Sequence, residues 1–339
     1  MILQKKIFIP FIIIILALSS CSRETLLNIQ GSTMGTFYTV KVSGVSSEED
    51  LDRIETAINT ALKKVNHGLN TYDPESEISQ FNNFHKTEVF PISNEFMLVS
   101  QVAEYVYQKS NGAFDPTVKE LVRLWGFGDD GLNIRPSSAE LEAAMEHVGM
   151  DKLHLVENTL LKLDPDLKLD YSAIAKGFGV DVVVRELALI GYENVLVEIG
   201  GEVRTRGTRN GKPWLIGIAV PDESNIGNQK SAETIIIHEK SCATSGDYQQ
   251  FYEENGERYS HLINPKTGYP IKHDVTSVTV IADNCMLADA AATAAIVLGK
   301  TKGLEFIESL KGVEALFIYR NGDILKQIQS SGWKVVTSD

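Results

Sequence analysis

The chain has 339 residues, of which 43% are hydrophobic and 23% are charged, as is normal for a folded soluble protein. This length suits one large domain or two ordinary ones. The formal net charge is −13, which argues against binding to the phosphate backbone of a nucleic acid. No nucleic acid is therefore expected among the partners, and the charge otherwise indicates only solubility.

The first residues have the pattern of a secretory signal. Lys5 and Lys6 precede an apolar run over residues 7–18. The run is shorter than the roughly 20 residues that span a bilayer, and it suits the apolar part of a signal peptide. It ends in Leu18-Ser19-Ser20-Cys21, which resembles a bacterial lipobox.

This pattern predicts a lipoprotein signal peptide over residues 1–20 and a lipid-anchored tether over residues 21–27. Cys21 would carry the lipid, with palmitate among its acyl chains. The mature protein would then be anchored to a membrane and face the periplasm or the exterior. The alternative is an ordinary signal peptide followed by a chance cysteine.

Hydrophobic periodicity predicts a mixture of helices and strands. The first half of the chain is predicted to contain a strand over Ile29–Val42, helices over Glu48–Leu69, Glu77–Asn82, Ser93–Lys109 and Val118–Trp125, and a helix from Ser137 or Ser138 to about His147. Strands over 161–164 and 167–170 and a helix through Val180–Ala188 follow, and then strands over Val195–Ile199, Trp214–Val220, Thr234–Glu239, Arg258–Ile263 and Val275–Ala282. The chain is predicted to end with helices over Met286–Leu298 and Leu304–Leu310 and a hairpin of Ala315–Tyr319 with Ile324–Ile328. Gly31 and Gly35 predict a bulge or a close ligand approach in the first strand. The mixture predicts an α+β fold of mixed sheets with flanking helices.

The stretch Leu169–Asp181 places Asp170 where a predicted strand ends and a helix begins. Free N–H groups at a helix start favour an anion such as a phosphate. An acidic residue at this point is better accommodated if a cation lies between it and the phosphate. The alternative is an ordinary helix cap with Asp170 in the turn.

The second informative stretch is the alanine-rich helix over residues 286–295. Its small residues allow another backbone to come close. Asp289 and Thr293 are four positions apart and therefore lie on one face. A hard cation such as Mg²⁺ accepts both as oxygen ligands. The alternative is that Thr293 bonds back to the helix and Asp289 faces solvent.

His261 is a candidate base, since a neutral imidazole can accept a hydroxyl proton. The alternative is a strand histidine bonded to a backbone carbonyl. Thr244–Tyr248 is expected to be a turn. Cys242 and Cys285 are expected to be separate buried thiols, and the alternative is a disulfide formed between them in an oxidising compartment. The sequence has neither the glycine-rich phosphate loop of nucleotide hydrolases nor the dinucleotide-binding glycine fingerprint.

Eight stretches in a fixed order carry a resemblance to one family. They are Gly31–Thr36, Thr71–Pro74 with Glu77–Ser79, Phe114–Pro116, Leu169–Gly177, Val197–Gly201, Ala243–Tyr248, Ser260–Gly268 and Ala288–Ala294. Together they resemble the ApbE-like flavin transferase family, FAD:protein FMN transferase. No one stretch is decisive, but eight in this order are highly specific and cover nearly all of the mature chain.

The resemblance implies one catalytic domain over residues 28–339 with a T-fold-related architecture. It implies Mg²⁺-dependent cleavage of FAD that releases AMP and joins FMN through its phosphate to a Thr or Ser hydroxyl of a partner. The implied partner is an acceptor subunit of a membrane redox complex. The alternatives are an FAD pyrophosphatase that gives FMN and AMP, and a flavin-binding lipoprotein without turnover.

The resemblance also implies the site residues. The implied FAD contacts are Met34, Tyr72, Ala113, Phe114, Asp115, Asp170, Lys176 and Ile263. The implied magnesium ligands are the Ala173 carbonyl, Asp289 and Thr293. The base that removes the acceptor proton is His261, Asp289 or solvent. Met34, Tyr72 and Phe114 are expected to suit the flat faces of flavin or adenine.

Two positions depart from the pattern of some family members. Lys176 stands where these members have an acid, which leaves its role open. Ala292 stands where they have a second acid, which leaves the number of metal ligands open.

Overall fold

The structure is a computed structural model that describes residues 25–128, 135–219, 231–248, 251–254, 256–322 and 324–334. The predicted signal peptide and Cys21 lie outside these ranges. The first strand begins at Thr25, inside the stretch expected to be a tether. Among the described residues, no helix combines the length and apolar character needed to cross a bilayer.

The described residues include seven α-helices and fifteen strands. The helices are α1 (Glu48–Leu69), α2 (Glu77–Asn82), α3 (Asn94–Lys109), α4 (Lys119–Leu124), α5 (Ser138–Met145), α6 (Ser172–Leu189) and α7 (Cys285–Glu308). The strands are β1 (Thr25–Thr33), β2 (Thr36–Val45), β3 (Val89–Pro91), β4 (Leu153–Val156), β5 (Thr159–Lys162), β6 (Val195–Ile199), β7 (Glu202–Arg206), β8 (Trp214–Ala219), β9 (Ser231–Ile237), β10 (Ser241–Gly246), β11 (Phe251–Glu254), β12 (Glu257–Ser260), β13 (Val275–Ala282), β14 (Glu314–Asn321) and β15 (Ile324–Gln329).

One large antiparallel sheet organises the fold. Its strand order is β1-β2-β6-β7-β10-β13-β14-β15. Three smaller antiparallel sheets have the orders β3-β5-β4, β8-β9 and β11-β12. The predicted α+β class with flanking helices is confirmed.

The main core lies between the large sheet and two central helices. α6 contacts β6 and β7, and α7 contacts β10 and β13. In addition, α1 packs on α6, and α3 packs on both α6 and α7. α6 and α7 are built almost wholly from apolar and small residues, so they can be enclosed on all sides.

α6 and α7 cross in backbone contact at Gly177. A Cβ at this position would stand 2.3 Å from the Cys285 carbonyl oxygen and 2.8 Å from Asp289 Cβ. Ala288, Ala291 and the other alanines of the predicted small-residue face of α7 are fully buried. The close approach expected from these small residues is therefore confirmed.

The first predicted strand is in fact a hairpin. Met34 and Gly35 form a turn between β1 and β2 with φ values of 49° and 70°. The glycine thus serves a positive-φ turn rather than a bulge. The predicted strand over 167–170 is also wrong. This segment pairs with no strand among the described residues. Its alternating leucines, Leu167 and Leu169, are buried, and the side chain of Asn82 takes the place of a strand partner by bonding the N–H and the carbonyl of Leu169.

The two helices predicted after position 285 correspond to the two halves of α7, which Gly299 separates with a non-helical φ of 75°. Two more predictions near the candidate site need correction. Residues 244–246, expected to be a turn, belong to strand β10 in the centre of the sheet. β12 ends at Ser260, so His261 lies in a loop. Cys242 and Cys285 are buried and free, as predicted.

Replacing Gly177 by alanine should lower the free energy of unfolding by about 3 kcal/mol, at the upper end of overpacking costs. Gly68→Ala in α1 is the matched control, since an added Cβ there meets nothing within 4 Å. It should leave the stability unchanged or raise it by up to about 1 kcal/mol. Chemical denaturation measures both values, and equal stability of the two variants would contradict the close helix crossing.

Candidate active site

The two stretches expected to form the site meet in the structure. Gly177 N–H in α6 donates a buried hydrogen bond of 2.9 Å to Asp289 Oδ2 in α7, 112 positions away. In a regular helix this N–H points to the carbonyl of Ala173, four positions earlier. Asp289 therefore lies beside the turn of α6 that contains the Ala173 carbonyl.

The Asp289 carboxylate lies in a buried, charged environment. Burial raises its pKa, which Lys176 and the Gly177 N–H oppose. Lys176 Nζ lies 3.9 Å from Asp289 Oδ1 and 3.3 Å from Glu202 Oε1. Burial alone would lower the pKa of Lys176, but the two carboxylates outweigh it and raise this pKa. The ammonium group is thus held between two acids.

Glu202 was not predicted from the sequence. It is the first residue of β7, directly after the Gly200–Gly201 turn, and its side chain is buried. Burial raises its pKa to about 8 despite the Lys176 charge, and the Asp289 charge adds to the shift. The two glycines do indicate a tight turn, but nothing in the sequence shows that the next carboxylate points inward.

Thr293 follows Asp289 by about one helical turn. Its hydroxyl oxygen is 3.2 Å from that of Ser245 in β10. Thr293 therefore has a partner on the sheet, and this contact was hidden because the stretch around Ser245 was expected to be a turn. The hydroxyl of Thr293 and the carboxylate of Asp289 lie on one face of α7.

The start of α7 is held by α6. Asp181 accepts hydrogen bonds from Cys285 N at 3.0 Å and Met286 N at 2.9 Å, and it forms an ion pair with Arg204. Asn284 caps the same turn by accepting from the N–H of Leu287 at 2.8 Å. These bonds satisfy the free donors of the first turn and fix the segment that carries Asp289.

Asp170 lies one residue before Tyr171, the N-cap residue of α6, and its side chain bonds the first residue of the helix. Its Oδ1 accepts from Ser172 N at 2.8 Å, and its own N–H donates to the Pro116 carbonyl at 2.7 Å. The capping alternative considered for Asp170 is thus present in the structure. The bond to Pro116 also links the start of α6 to the turn that carries Asp115.

Met34 and Tyr72 present their side chains differently. Met34 is partly buried against α6, where its Cε would stand 2.9 Å from a Cβ at Gly179. Tyr72 is 73% exposed in the loop after α1. Phe114 is buried in the main core, in contrast to Tyr72, and its expected contact with a flat flavin or adenine ring stays a prediction. Ala113, in the same turn, is also buried.

Asp115 is buried beside a cavity of about 350 Å³ whose lining includes Gly112, Gly149 and Lys266. The Asp115 carboxylate accepts from the N–H and the hydroxyl of Thr117 at 2.9 Å and 2.6 Å. Burial raises its pKa to about 6, against the effect of these bonds.

A second cavity, of about 390 Å³, is lined by Thr33, Asn66 and Asp73 among others. Both cavities have a size typical of small-molecule sites. Asp289 and Lys176 line neither of them.

His261 and Ile263 lie in the loop after β12. The His261 ring meets the Phe127 ring edge-on at a centroid distance of 6.2 Å. Ile263 is buried and pairs with Pro270, and Trp125 Nε1 donates to the Gly268 carbonyl at 2.7 Å. Aromatic packing therefore fixes the loop that carries the candidate base.

A second cluster of side chains that could bind a metal ion lies apart from the expected magnesium ligands. Among the described residues, ligand atoms of His147, Asp164 and Asp166 lie within 4.8 Å of one another. His147 Nδ1 is 2.8 Å from Asp164 Oδ2, which is the distance of an ordinary ion pair. None of these residues was predicted as a site residue.

These features define a class of protein, an α+β fold in which two crossing helices bring a buried carboxylate, a hydroxyl and a lysine together. The family model of the ApbE family matches residues 34–317. The chain belongs to this family.

Relatives and solved structures agree with this assignment. The chain is 39% identical over 323 residues to the FAD:protein FMN transferase of Vibrio cholerae, covering 94% of this chain and 96% of the relative. It is 38% identical over 347 residues to that of Haemophilus influenzae, with coverage of 98% and 99%. The structure is similar to the flavin transferase ApbE from Vibrio cholerae, with a TM-score of 0.82, 39% identity and coverage of 91% and 98%. It is also similar to the apo flavinyl transferase ApbE from Pseudomonas stutzeri, with a TM-score of 0.81, 32% identity and coverage of 91% and 95%.

The buried carboxyl of Asp115 should make stability depend on pH. Folding raises its pKa from 3.8 to about 6, so the folded protein holds a proton in this window that the unfolded chain has released. The stability that this proton supplies is complete below about pH 4 and is lost as the pH rises through about 6.

Comparison with Asp115→Asn, which does not titrate, isolates this effect. The stability of the parent relative to the variant should fall by about 2–3 kcal/mol between pH 4 and pH 7.5. Denaturation at both pH values measures the difference, and a difference that stays constant or grows would show that the folded pKa is not raised.

Proposed function

We propose that this chain is an FAD:protein FMN transferase. The named activity of its relatives supports this, since they match at 38–39% identity over nearly the whole chain. The structural observation that carries the proposal is the contact of Asp289 with the Ala173–Gly177 turn of α6. This contact brings the carboxylate of α7 next to the first turns of α6, so oxygen donors from two distant segments are available to one cation.

In the proposed reaction, a Thr or Ser hydroxyl of an acceptor protein attacks the phosphorus atom of the FMN half of FAD. A new P–O bond to the acceptor forms, the bond to the bridging oxygen of the pyrophosphate breaks, and AMP leaves with the bonding electrons. The hydroxyl proton goes to a base. His261 is our candidate for this base, with Asp289 and solvent as the alternatives.

The residues present fit a magnesium ion. The Ala173 carbonyl, the Asp289 carboxylate and the Thr293 hydroxyl are hard oxygen donors of the kind that Mg²⁺ prefers. Two buried acids, Asp289 and Glu202, surround the single ammonium of Lys176, so a cation, or a proton on one of the acids, would balance the charge when both are ionised. When bound, Mg²⁺ would neutralise the pyrophosphate and the charge on the leaving AMP.

The chain's own residues would bind and orient FAD. Lys176 is positioned to contact a phosphate oxygen, since 28% of its side chain is exposed beside Asp289. Met34 and Tyr72 are our candidates for contacts with the flat rings. Ala113, Phe114, Asp115, Asp170 and Ile263 are proposed to shape the pocket.

The cellular setting is also a proposal. The lipobox-like Leu18–Cys21 supports a lipid anchor at Cys21, with the enzyme facing the periplasm or the exterior and acting on a subunit of a membrane redox complex. Incorporation of labelled palmitate that is lost in Cys21→Ser would support the anchor, and unchanged labelling would refute it.

The proposed activity should appear as flavin that survives denaturation of the acceptor. Mature protein, FAD, Mg²⁺ and a candidate acceptor are incubated, and intact mass spectrometry looks for added FMN with AMP released in equal amount. AMP release at the same rate without acceptor would instead show an FAD pyrophosphatase. Tight FAD binding without AMP at any Mg²⁺ concentration would show a binding protein without turnover.

Asp289→Ala should reduce turnover at least about a hundredfold while weakening FAD binding much less, because a metal ligand acts mainly on charge in the transition state. Asp283→Ala is the matched control. Asp283 is 74% exposed just before α7 and pairs with Lys240 at the surface. The control should keep parental turnover. Equal loss of turnover and of FAD affinity in Asp289→Ala would mean that Asp289 is only structural.

A further inference from the structure

Glu202 is a buried carboxylate that the proposed chemistry does not yet use. Its Oε1 lies 3.3 Å from Lys176 Nζ, and its Oε2 has no hydrogen-bond partner among the described residues. An incompletely paired carboxylate in this environment is costly, so stability alone does not account for it. Its position next to the candidate metal ligands points to a role in the site.

The turn before Glu202 is shaped to receive Lys176. Gly200 has φ of 61°, and a Cβ there would stand 3.2 Å from Lys176 Cδ and 2.8 Å from Thr36 Cγ2. The glycine thus leaves room for the lysine stem, and Glu202 binds the ammonium two residues later. One short turn therefore contacts both the Cδ and the ammonium group of Lys176.

The two oxygens of Asp289 have different surroundings. Oδ2 is occupied by the hydrogen bond from Gly177 N–H. Oδ1 is the oxygen left for a cation, and Lys176 Nζ is 3.9 Å away from it, beyond hydrogen-bond distance. Without a competing carboxylate, the ammonium would be free to close on Oδ1 and occupy the place of a metal ion.

We propose that Glu202 is a positioning residue of the metal site: by holding the Lys176 ammonium, it keeps Asp289 Oδ1 available to a divalent cation. This inference rests on the proposed transferase function. It assigns Glu202 no contact with FAD or with the reacting atoms. Lys176 then remains beside the phosphates without displacing the cation.

The test measures metal binding directly. Mn²⁺ is titrated into the mature protein with saturating FAD, and electron paramagnetic resonance follows the free ion. Glu202→Gln should weaken Mn²⁺ binding about tenfold or more, as is usual when a residue that orients a ligand is removed. Unchanged affinity would overturn the proposal.

A second pair of variants separates positioning from a merely structural role. If Glu202 acts through Lys176, removing the ammonium removes the need for it. Adding Glu202→Gln to Lys176→Met should therefore change Mn²⁺ affinity by less than about twofold, since the coupled pair is already broken. An equal tenfold loss in both backgrounds would overturn the proposal.

Glu198→Gln is the matched control. Glu198 lies on the same hairpin, where its Oε1 accepts from Gly201 N at 2.9 Å rather than from Lys176. It should bind Mn²⁺ within about twofold of the parent protein, because its carboxylate contacts the turn and not Lys176. A tenfold loss in this control would attribute the effect to the turn and overturn the role of Glu202.

Asp289→Ala distinguishes failure of this inference from failure of the proposed function. If Asp289→Ala loses Mn²⁺ binding while Glu202→Gln keeps it, only the role of Glu202 fails. If Asp289→Ala binds Mn²⁺ as the parent does, the metal site itself fails, and the proposed role of Glu202 fails with it.

Discussion

A single buried hydrogen bond, from Gly177 N–H to Asp289 Oδ2, joins the two segments that make the candidate site. It forms because Gly177 has no side chain and the facing surface of α7 is largely alanine, so the two helix backbones touch. Asp181 fixes the same crossing by capping the first turn of α7. The position of Asp289 is therefore set by packed helices rather than by a loop, which suits a group that must be held in place for chemistry.

This crossing also gathers charge where water is scarce. Asp289 and Glu202 are buried around one lysine, Lys176, and burial raises the pKa of both acids. A cluster of two carboxylates and one ammonium carries an excess negative charge, which is costly in the interior unless a cation or a proton joins it. The arrangement is therefore suited to binding a cation beside the anionic phosphates of a dinucleotide.

Strong periodicity made part of the fold predictable. The heptad-like apolar face of α1 predicted Glu48–Leu69 with both ends correct, and the break predicted after Leu298 corresponds to the non-helical Gly299 within α7. Asp289 and Thr293 could be proposed from their spacing and from the family resemblance. Glu202 and Ser245 could not, because their roles depend on β7 and β10 lying against α6 and α7 in the folded chain. A local sequence pattern does not indicate which distant segments of the chain will be in contact.

We propose that oxygen atoms of Ala173, Asp289 and Thr293 surround one divalent ion. In crystals grown with FAD and Mn²⁺, anomalous scattering would locate this ion. We expect a peak within about 2.4 Å of these three oxygen donors and beside the pyrophosphate. A peak only at His147, Asp164 and Asp166, or none near Asp289 at saturating Mn²⁺, would contradict it.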